Sequence, residues 1–244
     1  MNVNYTMFYN CLCTMSGGAI YFTSPNACLR MICANRGSGG AESCGHFSFL
    51  SVNQVNQEEY LSVSYCSHTT TGYYSIYLHS GSQRVDNTNI SMNNAYRSSA
   101  IYTYSPSSFI SSHCTVANNK ASESRCIWFY STTGSISMSY ANIVHNNSPS
   151  GFGIVYVHGA GLKILMYSIF QNNQNYLFCV WTGSLEVSHS FISHLGVFST
   201  SLAVSTATNN SFTIIITYQI QFFISYHCDP ENLVQTPYQS QDHV

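Results

Sequence analysis

The chain has 244 residues, of which only 7% are charged and 45% hydrophobic, with a formal net charge of −2. So few charges exclude a basic nucleic-acid footprint, a polybasic membrane anchor and the charged wet faces of helical bundles or coiled coils. The apolar content excludes a disordered chain, so the surface must be covered by the 39 Ser, 18 Thr, 22 Asn and 19 Tyr.

Met1 to Met15 holds no basic residue and no clean apolar run, so no secretory leader is expected. Short apolar blocks then recur: AIYFTS from Ala19, HFSFLS from His46, SIYLHS from Ser75 and AIYTYS from Ala100. They continue as CIWFYS from Cys126, IVYVHG from Ile154, FCVWTG from Phe178 and SLAVST from Ser201. Anchored on Ile20, Phe47, Ile76, Ile101, Ile127, Val155, Cys179 and Leu202, their spacings are 27, 29, 25, 26, 28, 24 and 23 residues. A second marker keeps phase with the first. The doublets Asn93–Asn94, Asn118–Asn119, Asn146–Asn147 and Asn172–Asn173 recur at 25, 28 and 26 residues. Between the markers lie stretches of strand-like alternation such as SISMSYANIV and LKILMYSIF. The greasy segment Ser211 to Tyr226 alternates with period two and carries Gln219 and Gln221. It predicts a strand or bent strand pair and is too short for a membrane span. Residues 227–244 read as a polar tail.

Two markers in register define an internal repeat. Leucine-rich repeats need more than the 12 Leu present, propeller blades need a longer period, and the period-two pattern rules out helical repeats. The expectation is an all-β, right-handed parallel β-helix of about eight rungs spanning residues 8–226, with rungs stacked at ~4.8 Å. Asn suits the sharp corners of such a coil, because it tolerates left-handed backbone and can bond its counterparts in neighbouring rungs. The ten Cys are expected to be buried free thiols, with a few disulfides as the alternative. The four sequons, at Asn4, Asn89, Asn146 and Asn209, are no more than chance supplies in a chain this rich in Asn, Ser and Thr.

SGGAIYF at Ser16 to Phe22, FQNN at Phe170 to Asn173, and the looser VANN and VHNN segments resemble the GGAI and FxxN repeats of polymorphic outer-membrane-type proteins. Similar repeats occur in surface proteins of parasitic protists. The resemblance covers roughly residues 8–200 and implies a right-handed parallel β-helix, display at the cell surface or outside the cell, and adhesion. It carries over no catalytic residue. GGAI is intact only at Gly17–Ile20, and FYNC at Phe8 to Cys11 looks like the end of an earlier rung, so the chain is expected to be a segment of a longer solenoid.

Carbohydrate-cleaving chemistry needs clustered carboxylates. The best cluster is Glu58, Glu59 and Asp86 with Arg84, since an offset of one rung could set Glu58 beside Asp86 or beside Arg84. An exposed ion pair is the plainer expectation. The Asn markers put His113 and His189 in one slot with Ala141 and Tyr167 between them, too far apart to share an ion. No metal motif is present, and no cofactor is expected.

Alternation along the first strand of each rung turns Ile20/Phe22, Phe47/Phe49, Ile76/Leu78, Ile101/Thr103, Ile127/Phe129 and Val155/Val157 inward. It turns Tyr77/His79, Tyr102/Tyr104, Trp128/Tyr130 and Tyr156/His158 outward, flanked by Tyr21/Thr23 and Val180/Thr182. Stacked aromatics stabilise a ladder by themselves, and they also make a flat binding platform. The favoured function is a non-enzymatic surface or secreted scaffold that binds a glycan or a cell-surface protein through this strip. A polysaccharide lyase or hydrolase and a segment that self-associates end to end are the alternatives. Protonating the ten His would reverse the net charge of −2, so mild acid is expected to alter association.

Overall fold

The computed structural model describes residues 1–40, 45–66, 72–131, 133–148 and 152–193, and the backbone of the strands Phe198–Ser199 and Ser205–Thr208. The anchor Leu202, the Ser211 to Tyr226 segment, the sequon Asn209 and the tail lie outside the described residues.

The chain is all-β, and its strands pair in parallel with their counterparts one turn away, forming a solenoid of about six turns. One face is an eight-stranded sheet running through Ile20–Thr23, Ser48–Ser51, Tyr74–His79, Ser98–Tyr104, Arg125–Tyr130, Val155–His158, Phe178–Val180 and Phe198–Ser199. Most of the rest of each turn belongs to a second, 14-stranded sheet, while Asn94–Ala95 and Lys120–Ala121 pair in a separate two-stranded one. In the early turns this is one long strand, Asn26–Asn35 or Val55–Ser64; later it breaks into pairs such as Ser108–Ser112 and Thr115–Ala117. The stack already includes Asn2–Tyr9, paired with Asn26–Asn35 ahead of the expected start at residue 8. The coil of about six turns is slightly shorter than the eight rungs expected; its last described strands, Phe198–Ser199 and Ser205–Thr208, lie on either side of the anchor Leu202.

Alternation fills the interior from the first face with Ile76, Leu78, Ile101, Thr103, Ile127, Phe129, Val155 and Val157, all fully buried. Two anchors are out of register by one residue. Ser48, and not Phe47, sits between Ile20 and Ile76, and Phe178, and not Cys179, pairs with Val155. A slip of one residue reverses both faces. Phe49 therefore lies outside, stacked between Tyr21 and Tyr77 at 4.9 and 4.8 Å, while Val180 points in beside Val157. Phe47 is still fully buried, because it fills the corner just before its strand.

The second sheet adds the inward column Ala34, Val63, Ile90, Val116, Ile143, Phe170 and Ile192. Three residues after its members Ile90, Val116, Ile143 and Phe170 come Asn93, Asn119, Asn146 and Asn173, and these four form the amide ladder. Each Nδ2 of the first three donates to the Oδ1 of the next at 3.1 Å, across 26, 27 and 27 residues. The doublets misstate that ladder. Asn118 and Asn172 occupy the preceding position, with φ of 55° and 53°, and Asn94 and Asn147 the following one, bridged through Lys120. Met92 and His145 take the left-handed position in the other two turns, so that position selects a backbone conformation and not an amide.

Seven of the described cysteines, among them the buried Cys66, Cys114, Cys126 and Cys179, are thiols outside any disulfide, while Cys33 is disulfide-bonded. Asn89 and Asn146 are buried, which removes both as surface sequons. No helix among the described residues is long and apolar enough to cross a membrane.

Candidate functional site

The expected strip exists as two columns of rings on the first face. The first continues from Tyr21, Phe49 and Tyr77 to Tyr102 at 5.0 Å, then to Trp128 at 4.4 Å and Tyr156 at 5.8 Å. The second runs from His79 to Tyr104 at 5.3 Å, Tyr130 at 4.8 Å and His158 at 4.7 Å. Parallel in-register strands repeat every ~4.8 Å, which is why rings at equivalent positions meet at this distance.

The two columns differ in access. Tyr77, His79, Tyr104, Trp128, Tyr130 and His158 are half-buried. Tyr102 and Tyr156 are each only 4% exposed, contrary to the expectation that both face out. Tyr74 covers Tyr102, stacked on it at 4.3 Å. The Arg125 guanidinium lies over Trp128 at 3.7 Å, Tyr156 at 4.3 Å and Phe152 at 4.7 Å. Ser98 stands between Tyr74 and Arg125 in register, and its small side chain leaves room for both to lean over Tyr102. A register shift between Ser98 and Ile101 marks the extra residue there.

Burial sets the electrostatics. It pushes the Tyr102 phenol above its ordinary value and also raises Tyr156, partly opposed by Arg125. His79 is lowered by burial, and His158 by burial and then by the positive charges of Arg125 and Lys163. Arg125 itself is lowered to about 10 by burial.

The carboxylate cluster is arranged differently from either expected offset. Glu59, not Glu58, pairs with Asp86, and Glu58 lies beside Val85 inside the coil. Arg30 binds Glu59 at 3.0 Å and Arg84 binds Asp86 at 2.5 Å. Asp86 also accepts from the Ser112 N–H and hydroxyl at 2.9 and 2.7 Å.

The expected slot does hold His113, Tyr167 and His189; only its Ala141 member is off by one residue, Tyr140 standing there. His113 is followed by Tyr140 at 5.1 Å, Tyr167 at 5.2 Å and His189 at 5.1 Å, all in left-handed backbone; Ala141 belongs to the next, buried position.

Tyr74, Arg125, Phe152 and Phe49 belong to the strip, although sequence reasoning did not include them. Simple alternation sets Tyr74 with Ile76 and Arg125 with Ile127, which would turn both inward. Each is the first residue of its strand, beside the register shift between Ser98 and Ile101, and packs over the outer rings; only the recurrence of a large side chain two residues ahead of the anchor signals it. No known protein family matches this chain, and no curated protein or solved structure matches it either.

Proposed function

We propose that this β-solenoid is a non-enzymatic binding scaffold, displayed at a cell surface or secreted, whose contact surface is the strip built on Tyr77, His79, Tyr104, Trp128, Tyr130 and His158. The observation that carries this is the unbroken run of half-buried rings across consecutive turns, held to a fixed spacing by the parallel ladder. Such a surface offers apolar ring area at little entropic cost together with hydroxyl and imidazole groups at its rim, the combination that sugars and protein partners both use. The resemblance of SGGAIYF and FQNN to the repeats of outer-membrane-type surface proteins supports the same role. The carboxylates favour binding over polysaccharide cleavage, because Glu59 and Asp86 are engaged by arginines and Glu58 is fully buried.

The test is binding of the folded chain to a glycan array and to cells, beside a Tyr104→Ser/Tyr130→Ser variant with unchanged circular dichroism. Binding lost in the variant supports the strip; binding retained in full places the contact elsewhere.

A further inference from the structure

The strip has a charged edge that its rings do not account for. Of the five arginines, Arg30 and Arg84 pair with carboxylates, and Arg36 donates to the Tyr9 hydroxyl at 2.7 Å. Arg97 lies over Tyr73 at 4.6 Å, within electrostatic reach of Glu123. Arg125 has no carboxylate partner among the described residues, yet it is only 7% exposed. Its side chain bonds that of Tyr156, while its Nε is buried without an acceptor. The indole Nε1 of its neighbour Trp128 is buried without an acceptor as well.

Packing alone is a poor reason to bury this charge. A guanidinium held out of water without a counter-ion is destabilised, and the repulsion between Arg97 and Arg125 adds to the penalty. Cation–π attraction to the aromatic faces, about 2 kcal/mol or more for a desolvated cation, offsets only part of a desolvation penalty of several kcal/mol. Two orphaned N–H donors of adjacent residues, one of them cationic, on the border of a ring platform are complementary to a carboxylate beside a sugar ring. A guanidinium takes a carboxylate in charge-assisted, often bidentate, geometry.

We propose that the strip's ligand is an acidic glycan, with a uronate carboxylate received by Arg125 and the Trp128 N–H and with neighbouring pyranose rings lying along Tyr104 and Tyr130. The proposal rests on the binding function assigned to the strip above and adds the chemical class of the ligand. Phe152, over the same guanidinium at 4.7 Å, is the exposed ring of the cage, so it is the side chain that must turn aside to admit the carboxylate.

The test compares hexasaccharides of hyaluronan and of alginate with the same oligosaccharides after carboxyl reduction to primary alcohols, by isothermal titration. The acidic forms should bind the native chain about tenfold or more tightly than the reduced forms, the ratio expected for one charge-assisted contact. In Arg125→Met, confirmed as folded, that preference should vanish, whereas Tyr104→Ser/Tyr130→Ser should weaken both forms together. The comparison between ligands needs no variant, so it decides the matter even if Arg125→Met does not fold. Equal binding of acidic and reduced forms, or a preference that survives in Arg125→Met, overturns the acidic-ligand proposal while leaving the binding strip intact. Binding of neither form overturns the proposal, and the array with cell-binding experiment above then decides separately whether the strip binds at all.

Discussion

Asn119 donates from Nδ2 to the Oδ1 of Asn146 at 3.1 Å, and that same oxygen accepts the Asn119 backbone N–H at 3.0 Å. Asn146 in turn donates from Nδ2 to the Val116 carbonyl, one turn away, at 2.8 Å. One fully buried side chain therefore satisfies backbone groups of the neighbouring turn and passes the pattern on through Asn173. Asn146→Ala should leave the Asn119 N–H and the Val116 carbonyl short of partners, while the Asn119 amide keeps its bond to the Ile90 carbonyl at 2.8 Å; the loss is roughly 2–6 kcal/mol at ~1–3 kcal/mol per orphaned group. Asn147→Ala, on the half-buried neighbour, should stay within ~0.5 kcal/mol. Urea denaturation of the two variants measures this; equal midpoints would show that the ladder does not stabilise the coil.

Two buried titratable groups pull the pH profile in opposite directions. Glu58 is fully buried, with Oε2 unbonded, and burial pushes its carboxyl up from 4.5 to about 7. A raised folded value means that its contribution is whole below pH ~4.5 and is lost as pH rises through ~7. His46, whose Nδ1 accepts the Gly39 N–H at 2.9 Å, is lowered by burial from 6.5 to about 4. Its contribution is whole above pH ~6.5 and is lost as pH falls through ~4. At ~1.4 kcal/mol per pH unit, each term is on the order of 3 kcal/mol and the two largely offset. Glu58→Gln should match the native Tm at pH 4.5 and exceed it at pH 7.5, followed by circular dichroism. A Tm difference that does not change with pH would refute this.

The period and the inward aliphatics were legible in the sequence because burial in a parallel sheet selects apolar side chains at fixed parity, as at Ile76, Ile101, Ile127 and Val155. The exact register was not. Ser48 and Phe178 each shift an anchor by one residue, and neighbouring apolar side chains on both sides of a strand hide such slips from hydrophobicity alone. The ladder was legible as a class but blurred in detail, since Asn serves the left-handed corner at Asn118 and the amide stack at Asn119 for two separate reasons. The strip's rings followed from alternation. Its cover by Tyr74 and Arg125 did not, because the register shift between Ser98 and Ile101 interrupts simple alternation at the start of these strands.

Lys163 sits in the inward column between Ile136 and Leu185, fully buried. Its Nζ donates to the carbonyls of Gly159 at 2.8 Å, of Gly161 at 3.0 Å, and of Ala160. The stem fills the coil while the head gathers a loop whose glycines have φ of 112° and 88°. Lys163→Met keeps the stem volume and removes the donor, so it should destabilise the chain by ~1–3 kcal/mol. Lys163→Ala should cost ~2 kcal/mol more through the cavity it leaves. Chemical denaturation orders the two variants, and a Lys163→Met midpoint equal to the native one would mean that the ammonium does not hold the loop.

Tyr102 and Tyr130 sit in adjacent columns of one strip, and their substitutions should separate stability from binding. Tyr102 is covered by Tyr74 at 4.3 Å and packed on Trp128 at 4.4 Å, so Tyr102→Ala opens a cavity and should cost ~3–5 kcal/mol. Tyr130 is half-buried and stacks on Tyr104 at 4.8 Å, so Tyr130→Ser should lose little beyond one cross-strand pair, ~0.2–1 kcal/mol. If the strip binds as proposed, Tyr130→Ser weakens the ligand at nearly native Tm. Tyr102→Ala lowers Tm strongly, and whatever folded fraction survives loses affinity only as far as Trp128 shifts. Thermal melts paired with titrations at a temperature where both variants are folded distinguish the cases. Should Tyr130→Ser bind like the native chain while Tyr102→Ala alone loses the ligand, the outer column is ladder packing and the contact lies nearer Arg125.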